Sequence, residues 1–390
     1  MPKITFMGAG STIFARNVIG DCMCRESLRD AHFALYDING ERLKESFAIL
    51  NTINDNINQG RATISAHFGV GERREALRGA DFVVNAINVG GYEPATVTDF
   101  EIPKRYGLRQ TIADTLGIGG IFRALRTIPV MLDFAHEIEE VAPDAWFLNY
   151  TNPMAMLTGA VLRGSGVKAV GLCHSVQVCV ESMLESFGMF GKEQYEQGVT
   201  ASSLGYRSRI AGINHMGWLL KIEDKDGNDL YPEIKRRAAE KNATEKHKDM
   251  VRYEYIRRLG YYCTESSEHN AEYNPLFIKS RYPELIEQFN IPLDEYPRRC
   301  INQIKGWKEE KESILKDGKV EHTRSSEYAS YIMEAMVTGN PYKIGGNVLN
   351  TGLIDNLPAD ACVEVPCLVD KMGVNPCHVC LLYTSDAADD

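Results

Sequence analysis

A short apolar run, Lys3-Ile4-Thr5-Phe6-Met7, leads directly into Gly8-Ala9-Gly10-Ser11-Thr12, and this junction constrains the chain more than any other feature. A strand that ends in Gly-x-Gly and reopens as a helix begins a strand–helix–strand unit. Its glycines let the backbone approach a pyrophosphate, and the helix N-terminus favours the phosphate charge. Runs of the same shape follow: Phe33–Tyr36 closed by Asp37, Asp81–Ile87 closed by Gly90-Gly91, then Ala145–Asn149 and Val167–Leu172. Their alternation with helix-length segments predicts an α/β fold, a Rossmann-like parallel sheet domain over residues 1–200. From Ala201 the rhythm changes. Trp218–Glu223 and Asp229–Tyr231 flank the hairpin signal Asp226-Gly227, and Val251–Leu259 has helical spacing. A mixed α+β substrate and oligomerisation domain is therefore expected over 201–379.

The glycine fingerprint is incomplete, because its third position is Ile13. Gly8 and Gly10 would pass close to a cofactor, while Ser11 and Thr12 could cap the helix or donate to phosphate. Asp37 stands where a carboxylate accepts hydrogen bonds from a ribose diol, and an acid there favours NAD over NADP. Asn85, near the end of its own run, joins the cofactor candidates. A tight turn without a ligand is the alternative. Three polar clusters then fall at strand ends: Asn149–Met154, Gly171–Gln177 and Gly212–Met216. Cys173 and His215, from two of them, could share a divalent ion and leave coordination positions open for substrate. On spacing alone, a buried cysteine and a satisfied histidine are the better reading.

Composition narrows the partners. With 390 residues and a formal charge of −10, the chain lacks the clustered Lys and Arg of a nucleic-acid surface. Lys235-Arg236-Arg237 is interleaved with acids and reads as a solvated helix face. No apolar run approaches the roughly 18 residues of a membrane span, and the N-terminus lacks the form of a signal peptide. Ten cysteines without an export signal imply reduced thiols and a cytoplasmic location. Residues 380–390 break the preceding pattern and are expected to be a non-native read-through tail, in place of a native C-terminus.

Several longer segments carry a resemblance: Ile4-Thr-Phe-Met-Gly-Ala-Gly-Ser-Thr-Ile-Phe14, Gly90-Gly-Tyr-Glu-Pro94, Gln110-Thr-Ile-Ala-Asp-Thr-Leu-Gly-Ile-Gly-Gly120 and Asn149-Tyr-Thr-Asn-Pro-Met154. Cys173-His-Ser-Val-Gln177, Gly212-Ile-Asn-His-Met216, Thr264-Glu-Ser-Ser-Glu-His-Asn-Ala-Glu-Tyr273 and Gly352-Leu-Ile-Asp-Asn-Leu-Pro358 continue it. From Lys3 to about Pro376 the chain resembles glycoside hydrolase family 4, in its α-galactosidase branch. That family stands outside the usual two-carboxylate scheme of glycosidases. The resemblance implies oxidation of the sugar at C3 by tightly held NAD⁺, loss of the C2 proton, elimination of the glycosidic oxygen, water addition and re-reduction. It implies Mn²⁺ as the expected ion, with Cys173 and His215 as its ligands. It also implies a homodimer or homotetramer. His174 falls at the position of the acid that assists the leaving group. Asn152 matches the sugar-binding asparagine, and Asp114, Thr115 and Asn149 join it as substrate-binding candidates. The C2 base is left among Glu268, His269 and Tyr273.

The implied substrate is a terminal α-D-galactoside of the melibiose or raffinose type. An α-galacturonide is the alternative within the family, and it would need a basic partner near C6. A lactate/malate-type dehydrogenase shares the first domain's logic but works without a metal. A non-catalytic NAD-binding regulator would make the Cys173 and His215 pair incidental.

Overall fold

The computed structural model describes residues 1–317, 322–325 and 327–380, so residues 381–390 of the expected tail lie outside it. Twelve strands form one sheet. They are β1 (Lys3–Met7), β2 (His32–Asp37), β3 (Thr63–Phe68), β4 (Phe82–Asn85), β5 (Trp146–Asn149) and β6 (Lys168–Gly171). The rest are β7 (Arg207–Ile213), β8 (Met216–Glu223), β9 (Tyr262–Cys263), β10 (Tyr342–Leu349), β11 (Cys362–Asp370) and β12 (Gly373–Pro376). The order is β3-β2-β1-β4-β5-β6-β10-β11-β7-β8-β9, with β12 on β11. β1 to β6 pair in parallel, and the order reverses direction at β1 and β4. That reversal is where open α/β sheets bind ligands, beyond the strands' carboxyl ends.

Apart from the edge strand β3, the parallel strands are buried on both faces, which is why they read as continuous apolar runs. Ile4, Phe6, Phe33, Leu35, Val84 and Leu148 pack in one core, while Met7, Val83 and Phe147 face a second core under helix Gly117–Val141. Each such side chain contributes about 1.5–3 kcal/mol by leaving water. Gly8 turns the chain out of β1 at φ +89, and a Cβ there would lie 2.8 Å from the Ala86 carbonyl oxygen.

The second half does not stand apart. β10 pairs antiparallel with β6 through Asn347 and Gly171, so the sheet runs on into β11, β7, β8 and β9. A side chain at Gly171 would strike Met154 Sδ at 2.5 Å and Asn347 Cβ at 2.8 Å. The expected hairpin after β8 is reduced to one bridge, Glu223 to Asp229. Helix Tyr231–Thr244 begins there instead, with Pro232 in its first turn. The helix expected at 251–259 is Met250–Leu259. Arg236 and Arg237 pair with Glu233 on their own helix face.

Candidate active site

At the end of β1 the Gly10 N–H donates to Asp37 Oδ2 at 2.6 Å, and the Asn39 N–H donates to Asp37 Oδ1 at 2.8 Å. Asp37 thus ties the glycine turn to the end of β2. Helix Thr12–Met23 opens beside it without a side-chain cap from Ser11, leaving that hydroxyl and the first amides for an anion. Thr12 differs from expectation: its hydroxyl is buried against the Gly10 carbonyl and Ser46, so its side chain serves the core. Asn85 is also corrected. It is fully buried, and its amide donates to Asn149 Oδ1 at 2.9 Å and Thr151 Oγ1 at 3.1 Å. Asn149 has no exposed surface either; it donates to Thr158 Oγ1 at 3.0 Å and braces strand ends rather than a sugar.

Three elements deliver the chemistry. Cys173 follows β6, His215 occupies the β7–β8 turn, and Glu265 follows β9. Cys173 Sγ, an imidazole nitrogen of His215 and a carboxylate oxygen of Glu265 all lie within 4.8 Å of one another. His215 is held at φ +66, an uncommon conformation for a side-chain-bearing residue and one that clusters at functional sites. Its Nδ1 meets the Tyr273 hydroxyl at 3.2 Å, and its Nε2 lies 3.3 Å from Glu265 Oε2. Burial opposes charge on this ring, but the Cys173 sulfur and the Glu265 carboxylate outweigh it and push its pKa up to about 10. A thiol, an imidazole and a carboxylate around one point form a fitting donor set for a borderline divalent cation.

Beside this set, His269 Nε2 lies 3.5 Å from Asp114 Oδ1, and Asn152 Nδ2 lies 3.3 Å from Asp114 Oδ2. Burial works against ionised Asp114, yet His269, His215 and Arg123 hold its carboxyl well below the usual range. Asn152 Oδ1 is buried without a protein partner, as a group waiting for a sugar hydroxyl would be. Thr115, 1% exposed, donates to Asp114 Oδ1 at 2.9 Å and so supports Asp114 rather than lining the pocket. Glu272 accepts the N–H groups of Thr111 at 2.7 Å, Ile112 at 3.3 Å and Ala113 at 2.8 Å, fixing the loop that presents Asp114.

His174, first residue of helix His174–Ser186, sets Nε2 2.6 Å from Glu327 Oε2. Burial lowers its pKa, but Glu327 outweighs that and raises it overall. Glu327 is itself held from below, because its N–H donates to Ser325 Oγ, which in turn donates to the buried Asp21. Of the three base candidates, the structure brings His269 and Tyr273 into the cluster. Glu268 is directed elsewhere: its carboxylate meets Arg299 at 3.3 Å. Sequence reading missed Glu265, Glu272 and Glu327. Glu265 and Glu272 left a signal, as parts of the Thr264–Tyr273 motif, and Glu327 left none. A separate cleft of about 600 Å³, lined by Met250, Glu254, Arg257 and Phe289 among others, opens away from these groups. Its arginines already pair with Glu254, so it offers no converging free chemistry.

Residues 3–189 match the family 4 glycosyl hydrolase model, and residues 210–387 match the model of that family's C-terminal domain. The chain belongs to glycosyl hydrolase family 4. It is 58% identical to an α-galactosidase of Bacillus subtilis (strain 168) over 97% of this chain and 83% of that protein. A Rhizobium meliloti (strain 1021) α-galactosidase is 36% identical over 96% of this chain and 74% of its own length. Among solved structures, a Bacillus subtilis protein described as a candidate glucosidase superposes with a TM-score of 0.84. It is 25% identical, covering all of this chain and 88% of that one. No helix among the described residues of this family 4 chain is long and apolar enough to cross a membrane.

Proposed function

We propose that this family 4 enzyme hydrolyses terminal α-D-galactosides of the melibiose or raffinose type, using NAD and a divalent ion, Mn²⁺ by expectation. The carrying observation is the Cys173–His215–Glu265 cluster together with the Asp37-tied glycine turn, in a chain 58% identical to an α-galactosidase. Gly8, Gly10, Ser11 and Asp37 would hold the dinucleotide, and Cys173 and His215 the metal. Bound there, NAD⁺ supplies a hydride acceptor and the metal supplies Lewis acidity toward neighbouring sugar oxygens.

The chain's own groups do the rest. Asp114 accepts a sugar hydroxyl proton, and Asn152 Oδ1, which lacks a protein donor, accepts another. His174, with Glu327 on one ring nitrogen, holds a proton for the departing glycosidic oxygen. His269 and Tyr273 are the groups placed to take the proton from C2. The free thiols of Cys22, Cys173, Cys179 and Cys263 fit a reducing, cytoplasmic compartment.

The test is hydrolysis of 4-nitrophenyl α-galactoside by reduced protein, with Mn²⁺ and NAD⁺ supplied together or singly. Turnover should collapse without either, and turnover independent of both overturns the reading. Faster hydrolysis of the matching α-galacturonide would shift the substrate to that class.

A further inference from the structure

On the reading that this cluster holds a divalent ion, we propose that Glu265 is the ion's third protein ligand, closing the set begun by Cys173 and His215. Ligand atoms sit about 2.0–2.3 Å from such an ion, so two of them on one ion are separated by roughly 3 to 4.6 Å. The three candidate atoms lie within 4.8 Å of one another. The 3.3 Å between His215 Nε2 and Glu265 Oε2 is the spacing of adjacent ligands, and it is long for a hydrogen bond between charged groups.

Orientation supports the same set. Tyr273 engages His215 Nδ1, which leaves Nε2 as the nitrogen presented toward Glu265. Glu265 Oε1 accepts the Ser266 N–H at 2.8 Å and lies 3.5 Å from His269 Nδ1. Its other oxygen, Oε2, is the one turned to the metal position. Outward-facing groups thus fix both side chains, as supporting contacts do in metal sites generally.

Charge decides what distance leaves open. A coordinating thiol binds as thiolate and a coordinating imidazole as the neutral ring. With Cys173 and His215 alone, a divalent ion would carry one uncompensated positive charge in a site where both ligands are buried. An uncompensated buried charge is strongly unfavourable. The Glu265 carboxylate brings the sum to zero. Asp114, His215 and His269 form a competing group within the same distance limit. That group, however, offers one carboxylate with two imidazoles, so a divalent ion there would keep one uncompensated positive charge. The metal therefore sits on the Glu265 side, and the Asp114–His269 pair stays free for sugar and proton.

The experiment is Mn²⁺ binding to the metal-stripped full chain, read from the paramagnetic resonance of free Mn²⁺, with Co²⁺ absorption as a second readout. Glu265→Gln should lower Mn²⁺ affinity at least ten-fold. It should alter the Co²⁺ d–d bands while the thiolate charge-transfer band of Cys173 persists. Glu265→Asp, which keeps the charge on a shorter stem, should fall between the two and guards against a folding defect in the first variant. Affinity and Co²⁺ spectra unchanged in both variants overturn the proposal. Loss of affinity in Asp114→Asn with Glu265→Gln unaffected overturns it in favour of the competing group. Wild-type protein that binds no Mn²⁺ would instead overturn the metal reading itself.

Discussion

His174 and Glu327 show how one contact can assign a role. A histidine paired with a buried carboxylate is fixed in orientation, and proton transfer from such a group is worth about 10²–10⁴ in rate. Glu327→Gln should therefore slow methyl α-galactoside at least ~100-fold, while 2,4-dinitrophenyl α-galactoside, whose leaving group needs no proton, changes less than ~3-fold. Equal slowing of both substrates would mean that Glu327 only supports the fold. At this scale the sequence was legible where residue type alone carries the chemistry. Cys173 and His215 were readable as a thiol and an imidazole at strand ends that could share an ion, with the resemblance giving them that role, and Asp37 as the acid beside the glycines. Thr12, Asn85, Asn149 and Thr115 turn inward in the fold, because a polar residue beside a turn can be hydrogen-bonded within the chain as readily as by a ligand. Glu265 and Glu327 stayed hidden for another reason: each reaches its partner across the fold, His215 or His174, at no recurring spacing.

Among the elements, one row of the sheet joins the first half to the second. Asn85, Asn149, Gly171, Asn347, Glu364, Gly212 and Gly217 are successive register partners across seven strands. Glu364, 1% exposed, accepts from Asn214 and Asn347 at 3.1 Å each on Oε1. Its Oε2, Thr264 Oγ1 and the two asparagine carbonyl oxygens are buried without partners. Burial raises the Glu364 pKa, only partly offset by Asn214, His215 and Asn347. A carboxyl raised in the fold binds its proton more tightly there than in the unfolded chain. Its contribution is fully present below the unfolded value, about 4.5, and is lost as pH rises through the higher folded value. Glu364→Gln, neutral throughout and bringing a donor to those acceptors, should stabilise the metal-free protein by about 1–3 kcal/mol at pH 8 and by much less at pH 5. Urea unfolding of both proteins at the two pH values measures this, and a pH-independent difference would contradict it. Little of this row was visible beforehand. β1, β2, β4, β5 and β6 announce themselves as doubly buried apolar runs. β3 hides as Thr-Ile-Ser-Ala-His-Phe at a half-exposed edge, while Gly345-Gly346 and Pro366 disguise β10 and β11.

For the whole molecule, the change of rhythm near Ala201 suggests two domains, yet the hydrogen-bonded sheet crosses it at β6 and β10. The largest core follows the sheet, running without a break from Ile4 and Phe6 through Leu148 and Val170 to Trp218, Val363 and Val379. Trp146 on β5 packs against Gly373 of the second half, where a Cβ would lie 2.3 Å from its ring. Separate cooperative units need an interface through which few contacts pass, and here the interface is a continuous sheet with a shared core. The two halves should therefore unfold together. Tryptophans stand at 146, 218 and 307, so two double variants isolate one reporter in each half. Trp218→Phe with Trp307→Phe leaves Trp146 in the first half, and Trp146→Phe with Trp307→Phe leaves Trp218 in the second. Within each variant, that tryptophan's fluorescence and the far-ultraviolet dichroism of the whole backbone should trace one urea transition with one midpoint. A reporter that leads or lags the backbone signal would mean that the β6–β10 joint opens first. The glycine turn and the Cys173–His215–Glu265 cluster would then be held in register by something other than the sheet.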